Sequence, residues 1–413
     1  MSLFLIDGLK YDNECDRIEI KSQWAGVYRE PTMQLKRTGI IIGGYFILTN
    51  SCNLNCVYCF AKRYRKQDRL VLDEAKPLVL EIIKNSVLCR ILGMPGFVPY
   101  FKFSGGGEPT QNFDTMCQIT DFAKSLLSIN DLAAEFHLAT NGQWNDPRIN
   151  EWISNNITNL LFSVDGIEAI NNTHRPRIDG KNGYGNVVTN LQRLDNSDIN
   201  KTFRMTVSNF SLPYLAESVS VFGDLGVKNI QIEPLMPFEV KKDLCEPDPV
   251  EFAKQYSAVK YQHLDMNIFS SFDVFDQTDN SPCGHQAGNI VSLFPGGIIS
   301  SCPEHALQDD EDYFRGIIRD GKLSVTKQRD INFQYRFERC EDCIVSFKCD
   351  LCKSKIGLFT EKCYDTKYLC VIYREIFKES LHHFIGEKSI DRYCSFAYDI
   401  NKSRYLFTSK GDE

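Results

Sequence analysis

From residue 39 to about 240 the chain alternates short apolar runs with stretches of helix length, whose apolar residues recur at helical spacing. The runs are Ile40–Leu48, Val98–Phe103, Glu135–Ala139, Asn159–Val164, Thr202–Val207 and Lys228–Ile232. Between them lie Leu72–Lys84, Phe113–Leu127, Pro147–Ser154, Asn186–Leu194 and Pro213–Leu225, often with Asp, Asn or Pro near the start. Strand–helix alternation demands parallel strands joined by crossover helices. The pattern therefore predicts an α/β fold, a partial (β/α)6 barrel short of a closed barrel's eight units. In such folds chemistry sits at the C-terminal ends of the strands. Those ends carry Asn50–Lys62, Ser104–Pro109, Thr140–Gly142, Asp165–Gly166 and Glu233–Pro234, the polar and Gly-rich segments of the barrel.

The rest divides around this barrel. Residues 1–38 read as an N-terminal extension, a strand or hairpin laid against the next unit. The barrel spans 39–240, and 241–282 is a bridging segment in which the alternation stops. Residues 283–372 hold eight cysteines and read as a small cysteine-rich unit with little secondary structure or core of its own, organised by metal. Residues 373–413 begin with helical periodicity (Tyr373, Ile376, Phe377, Leu381) and end in a polar tail. Lys+Arg is 47 against Asp+Glu 54, a net charge of −7 that argues against a general nucleic-acid binder. The N-terminus has no basic region before its short apolar run, so it is not a secretory signal. Ile40–Leu48 is interrupted by Gly43–Gly44 and too short for a bilayer. The expectation is a cytoplasmic protein with no membrane partner. In a reducing compartment its 16 cysteines read as metal or redox ligands before disulfides.

The first cluster, Cys52-Asn-Leu-Asn-Cys56-Val-Tyr-Cys59, follows the first strand directly. Three thiolates on one loop suit a soft metal centre, and on a four-iron cluster they leave one iron open. This C-x3-C-x2-C motif, with Tyr58 before its third Cys at the end of a partial barrel's first strand, resembles the radical SAM enzymes. The resemblance implies that Cys52, Cys56 and Cys59 hold a [4Fe–4S] cluster whose open iron binds S-adenosylmethionine, and that one-electron reduction releases a 5′-deoxyadenosyl radical. It implies further that Gly106, Gly107 and Glu108 of Ser104-Gly-Gly-Gly-Glu-Pro109 hold the methionine amino group, the Glu108 carboxylate meeting the amine. Asn141 of Ala139-Thr-Asn-Gly142 matches the end of a later strand, and Ser163 of Ser163-Val-Asp-Gly166 a ribose contact. Arg175 is either a fork contact to the methionine carboxylate or a surface charge. Glu233 either faces the cofactor or substrate or is a satisfied rim carboxylate. No catalytic residue is assigned.

The second cluster is Cys283-x13-Gly297-x4-Cys302, then Cys340-x2-Cys343-x5-Cys349-x2-Cys352, then Cys370. Repeated Cys-x2-Cys is a metal signal, zinc or iron–sulfur. The arrangement resembles the SPASM extension of peptide-maturing radical SAM enzymes. The resemblance assigns Cys283, Cys302 and Cys352 to one auxiliary Fe–S cluster and Cys340, Cys343, Cys349 and Cys370 to a second. The chain departs from that pattern in the x2 interval before Cys352 and in lacking a Cys soon after Cys283, which leaves an open iron, a non-cysteine ligand or Cys363 to complete the first. Cys15, Cys89, Cys117, Cys245 and Cys394 read as buried small apolar residues.

The function these resemblances imply is a peptide (RiPP) maturase that abstracts hydrogen from a ribosomal peptide to install a crosslink, epimer, cleavage or oxidation. Its partners would be a peptide or protein substrate and an external electron donor, flavodoxin or ferredoxin-like. With only about 38 residues before the barrel, a separate leader-binding partner is expected to present the substrate. Two alternatives stand beside it. One is an anaerobic sulfatase-maturing enzyme, weakened because Pro303 stands where that group has an Asp after the Gly-x4-Cys. The other is a non-catalytic Fe–S or zinc peptide-binding scaffold, against which the Gly-rich cradle argues.

Overall fold

A computed structural model describes residues 40–59, 61, 68–94, 98–194, 198–236, 244–273, 285, 288–304, 313–325, 345 and 367–385, and the backbone of 3–6, 9–12 and 17–20. At the N-terminus β1 (Leu3–Ile6), β2 (Leu9–Asp12) and β3 (Arg17–Ile20) form a three-stranded antiparallel sheet. The extension is thus a meander, one strand more than a hairpin.

The main unit begins with β4 (Gly43–Phe46) and α1 (Leu72–Ile91), followed by β5 (Tyr100–Phe103). A 3-10 turn, Pro109–Asn112, leads into α2 (Phe113–Ile129), then β6 (Glu135–Thr140), α3 (Pro147–Asn156) and β7 (Asn159–Ser163). The chain continues through α4 (Glu168–His174), α5 (Tyr184–Arg193), β8 (Asn200–Val207), α6 (Leu215–Asp224), β9 (Asn229–Pro234), α7 (Pro249–Gln262) and β10 (Asn267–Phe269). Asp-Pro starts both α3 and α7. The Asp146 carboxylate accepts the Arg148 N–H at 3.0 Å, and that of Asp248 accepts those of Val250 and Glu251 at 3.0 and 2.9 Å. Each proline fills a first-turn position whose N–H has no helical partner.

Strands β4 to β10 are parallel, and each pairs with the next in sequence. Winding in one direction with right-handed crossovers puts every helix on the same face, and such a sheet curls into a partial barrel. The faces differ in chemistry. Phe46, Phe101, Phe103, Phe136, Phe162 and Phe203 are buried on the helix side; Phe101 stacks on Phe136 at 5.0 Å, and Phe203 meets Phe222 of α6 edge-on at 4.8 Å. A Cβ on Gly44 would press on Leu78 and Ile82 of α1, which fixes that side. On the opposite, inner face stand the alternate residues Tyr45, Tyr100, Lys102, His137, Asn159, Ser163, Arg204 and Gln231, none of them fully buried.

The structure departs from the expected pattern beyond residue 240. The alternation does not stop there: α7 and β10 add a seventh parallel strand. Strands β11 (Ile290–Phe294), β12 (Ile298–Ser300), β13 (Phe314–Arg319) and β14 (Lys322–Val325) extend the same sheet past β4, β11 parallel to it and the rest antiparallel. Val291, Leu293, Ile299 and Ile318 join the main core, so this stretch has both strands and a core to share. The last helix, α8 (Lys367–Ile385), packs on α7 and buries Leu369, Ile372, Ile376 and Phe377 in that core. Among the described residues no helix is long and apolar enough to cross a membrane.

If α8 is part of the core, emptying one buried site on it must destabilise the whole. Ile376 is fully buried, so Ile376→Ala is expected to cost about 2–5 kcal/mol. Urea unfolding checks this; a midpoint equal to wild type would mean that α8 packs elsewhere.

Candidate active site

The loop carrying Cys52, Cys56 and Cys59 leaves the C-terminal end of β4, which has parallel neighbours on both edges. Backbone hydrogen bonds tie it to the segment after α4: Val57 N–H to His174 O at 2.9 Å, Asn55 N–H to Pro176 O at 2.7 Å, and Ile178 N–H to Asn53 O at 3.1 Å. Cys52 and Cys59 are half-buried and Cys56 is buried. Cys52 Sγ accepts from Leu54 N–H at 3.4 Å and from Asn141 Nδ2 at 3.7 Å. Burial pushes the Cys56 thiol up to about 12, with the other two cysteines adding to the effect and Arg175 opposing it. A metal bound there must displace its proton. Among the described residues no three His, Cys, Asp or Glu side chains close around a single ion; a multi-iron cluster asks instead for one thiolate per iron.

The Gly-rich turn after β5 packs directly beneath this loop. Gly107 N–H donates to Thr49 O at 2.7 Å and Glu108 N–H to Ser51 O at 2.8 Å. A Cβ on Gly107 would lie 1.9 Å from Ser51 O, and Gly106 has φ +63° and would meet Thr49 O at 2.8 Å. Backbone against backbone is the reason for glycine at both positions.

Glu108 is buried beneath the turn. Its Oε1 accepts from Thr110 N–H at 3.1 Å, Thr110 Oγ1 at 2.9 Å and Thr140 Oγ1 at 2.7 Å, and its Oε2 from Asn141 N–H at 2.8 Å. Burial raises its pKa, and these four donors oppose the rise. Asn141 is placed against the loop: Nδ2 reaches Cys52 Sγ and Asn53 Oδ1, the latter at 2.8 Å. Ser163 stands half-buried at the end of β7 on the inner face.

The Arg175 guanidinium closes on Asp165, Nε to Oδ2 at 2.9 Å and Nη2 to Oδ1 at 3.0 Å. It is largely buried, so it is not a surface charge. Asp165 also accepts from Thr206 N–H at 2.9 Å and, in a short contact, from Tyr58 OH. Buried His174 brings Nδ1 within 3.3 Å of Asp165 and shares a 3.0 Å hydrogen bond between Nε2 and Ser208 Oγ. Burial alone would raise the Asp165 carboxyl; Arg175 and His174 hold it well below the usual carboxylate range. Burial also works against the Arg175 charge, but Asp165 keeps it protonated. Tyr58, the aromatic of the cysteine motif, is thereby locked to the end of β7, with the Arg175 guanidinium 5.5 Å from its ring centroid. Sequence reasoning passed over His174 and Ser208 and saw Asp165 only as part of a turn.

Glu233 is a satisfied rim carboxylate: it accepts from Gln231 Nε2 at 2.7 Å, and from Ser271 N–H at 2.9 Å and Oγ at 2.7 Å. Cys302 lies half-buried just past β12, beside Tyr313, and Cys370 half-buried on α8. Cys283, Cys340, Cys343, Cys349, Cys352 and Cys363 lie outside the described residues, as do Cys15 and Cys394. Of the cysteines expected to be buried packing residues, Cys89 is buried, Cys117 half-buried and Cys245 exposed. Cys245 sits before the Pro247–Pro249 turn into α7.

Residues 46–212 match the family model of the radical SAM superfamily. Over 387 residues, 87% of this chain and 76% of the relative, the sequence is 23% identical to the radical SAM cyclopropyl synthase TigE of Paramaledivibacter caminithermalis. Over 257 residues, 62% of this chain and 82% of the relative, it is 28% identical to the uncharacterized protein MJ0907 of Methanocaldococcus jannaschii. In fold it is similar to native anSMEcpe with bound AdoMet and Cp18Cys peptide: TM-score 0.65, 18% identity, 83% of this chain and 98% of that one.

The Asp165 knot generates a pH prediction. A carboxyl held low in the folded state contributes stability that is complete above its unfolded value of about 4 and lost as pH falls through the folded one. Wild-type melting temperature is therefore expected to drop between about pH 5 and pH 3. Asp165→Asn should cost about 3–5 kcal/mol at neutral pH, because Arg175 is left buried without its partner, and should flatten that acid limb. Equal acid slopes for the two proteins would remove Asp165 from this role.

Proposed function

We propose that the chain, an enzyme whose residues 46–212 match the radical SAM family model, is a radical SAM peptide maturase in which Cys52, Cys56 and Cys59 ligate a [4Fe–4S] cluster. The observation that carries this reading is the seat of the three thiols, on one loop at the C-terminal end of a central parallel strand and pinned to the ends of β6 and β7 by Asn141 and by Tyr58–Asp165–Arg175. The donor set fits such a cluster. Soft thiolates suit iron and sulfur, and Cys52 Sγ accepts from the Leu54 N–H and from Asn141 Nδ2. S-adenosylmethionine on the open iron would supply a 5′-deoxyadenosyl radical for hydrogen abstraction. The chain's own part is to hold the loop and to present Ser163 and Asn141 beside it. Glu108 and Arg175 brace the loop's supports in this reading, and each is also proposed to contact the cofactor.

A peptide substrate is supported by likeness in fold to a protein solved with a bound peptide. We carry forward as proposals the auxiliary Fe–S clusters on Cys283, Cys302 and Cys352 and on Cys340, Cys343, Cys349 and Cys370, and an external electron donor.

Anaerobic reconstitution with iron and sulfide, followed by dithionite and S-adenosylmethionine, tests the reading. Wild type is expected to form 5′-deoxyadenosine. The triple variant Cys52→Ala/Cys56→Ala/Cys59→Ala should form none yet retain iron. Nucleoside formed by the triple variant, or none by reconstituted wild type, would refute the ligand assignment.

A further inference from the structure

The inner face of the sheet, just below the cysteine loop, carries two cations without an anionic partner among the described residues. Lys102 sits on β5 two residues before the Gly-rich turn, about 7 Å at the rise of a strand. Its Nζ donates to Tyr45 OH at 3.3 Å and lies 4.7 Å from that ring's centroid. Arg204 on β8 is exposed and pairs in register with Ser163 and Gln231 on its two sides. The carboxylates nearby are committed elsewhere. Asp165 is held by Arg175, Glu233 by Ser271, Glu108 lies under the turn, and Glu135 meets His137 at 2.8 Å. Burial lowers His137 against the pull of Glu135.

We propose that this face recognises a carboxylate of the peptide, so that the enzyme selects substrates with an acidic group beside the residue it modifies. This rests on the peptide-maturase reading and narrows it to a substrate class. A peptide seated against the inner face removes water from Lys102 and Arg204. Charges lose their hydration unless the incoming molecule replaces it with a counter-charge. Arg204 offers a planar fork matched to a carboxylate, and Lys102 a point charge. A neutral or basic segment would leave both desolvated and unpaired, which supplies discrimination as well as attraction.

The test is binding by the reconstituted full chain with S-adenosylmethionine and no reductant, so that nothing turns over. The probes are fluorescein-labelled 15-residue peptides, capped at both ends and differing only at the central residue: Asp, Glu, Asn, Gln or Lys. A further Asn-centred peptide has a free C-terminal carboxylate. Fluorescence anisotropy is expected to show an acid-centred peptide binding about ten- to a hundredfold more tightly than its amide twin, with the gap narrowing at high salt. Lys102→Gln or Arg204→Gln should shrink the gap, and Lys102→Arg should keep it. Preference for the free C-terminus alone would identify the chain end as the carboxylate recognised. Equal binding of acid and amide twins, no binding of any peptide, or a gap unchanged in both Gln variants would overturn the proposal. 5′-Deoxyadenosine formation, measured separately, reports on the maturase reading itself: a protein that forms it but ignores peptide charge loses only this inference.

Discussion

The candidate site is organised around one buried carboxylate. Asp165 is fully shielded from water, and an ionised group there is tolerated only if donors replace its hydration. The donors come from three directions: Tyr58 from the cysteine loop, Arg175 from the end of α4, and the Thr206 N–H from β8. Satisfying Asp165 therefore fixes where those three elements meet. A buried ion pair of this kind adds little net stability over a well-packed apolar alternative, but loosening one member leaves a charge stranded. Its value is a single geometry for the loop.

The winding of the sheet gives that geometry its setting. Because β4 to β10 follow one another without reversal, the helices cover one face with phenylalanines and leave the other to Tyr45, Lys102, His137, Asn159, Ser163, Arg204 and Gln231. β11 then returns to pair with β4 from the other side. The strand carrying the cysteine loop becomes internal to the sheet, bonded along both edges. A loop launched from an internal strand starts from a fixed direction, and its thiols inherit that direction. Along the inner face a row of side-chain amides, Asn159, Asn200, Asn229 and Asn267, passes hydrogen bonds from strand to strand at 2.9 to 3.1 Å. It holds the far ends of the strands in step, much as Asp165 holds the near ends.

Much of this was legible in the sequence, and the failures have physical causes. The six barrel strands announced themselves because the side turned to the helices needs large apolar residues at every second position, as in Tyr100–Phe103 and Asn159–Ser163. The seventh strand was missed because Asn267–Phe269 is three residues long, and α7 because its apolar residues form no strong stripe. Strands β11 to β14 were hidden by the cysteines around them, which suggested a metal-organised unit when Val291, Leu293, Ile299 and Ile318 were in fact core residues. At the site, the loop itself was readable because three cysteines within eight residues are a local pattern. The partners of Glu108 and Arg175 were not, since those contacts span up to 33 residues. Sequence shows that a residue is charged; only the fold shows what reaches it. Asp165 and Arg175 are ten apart, joined by α4, whose seven residues GluAlaIleAsnAsnThrHis hold too few apolar side chains to read as a helix.

The glycines before Glu108 carry a structural duty that only the fold reveals. Their freedom invites the idea of backbone approaching a ligand, yet at Gly107 the close neighbour is Ser51, one residue before the first cysteine. The Gly-rich turn is thus a seat for the cysteine loop. The carboxylate of Glu108 extends the same support, taking hydrogen bonds from Thr140 and Asn141, while Asn141 in turn reaches Cys52. The chain of contacts runs from a strand end through a buried acid and an amide to a thiol, each link made by protein alone. A loop held this way has lost its conformational freedom before any metal arrives, so binding need not supply that ordering again.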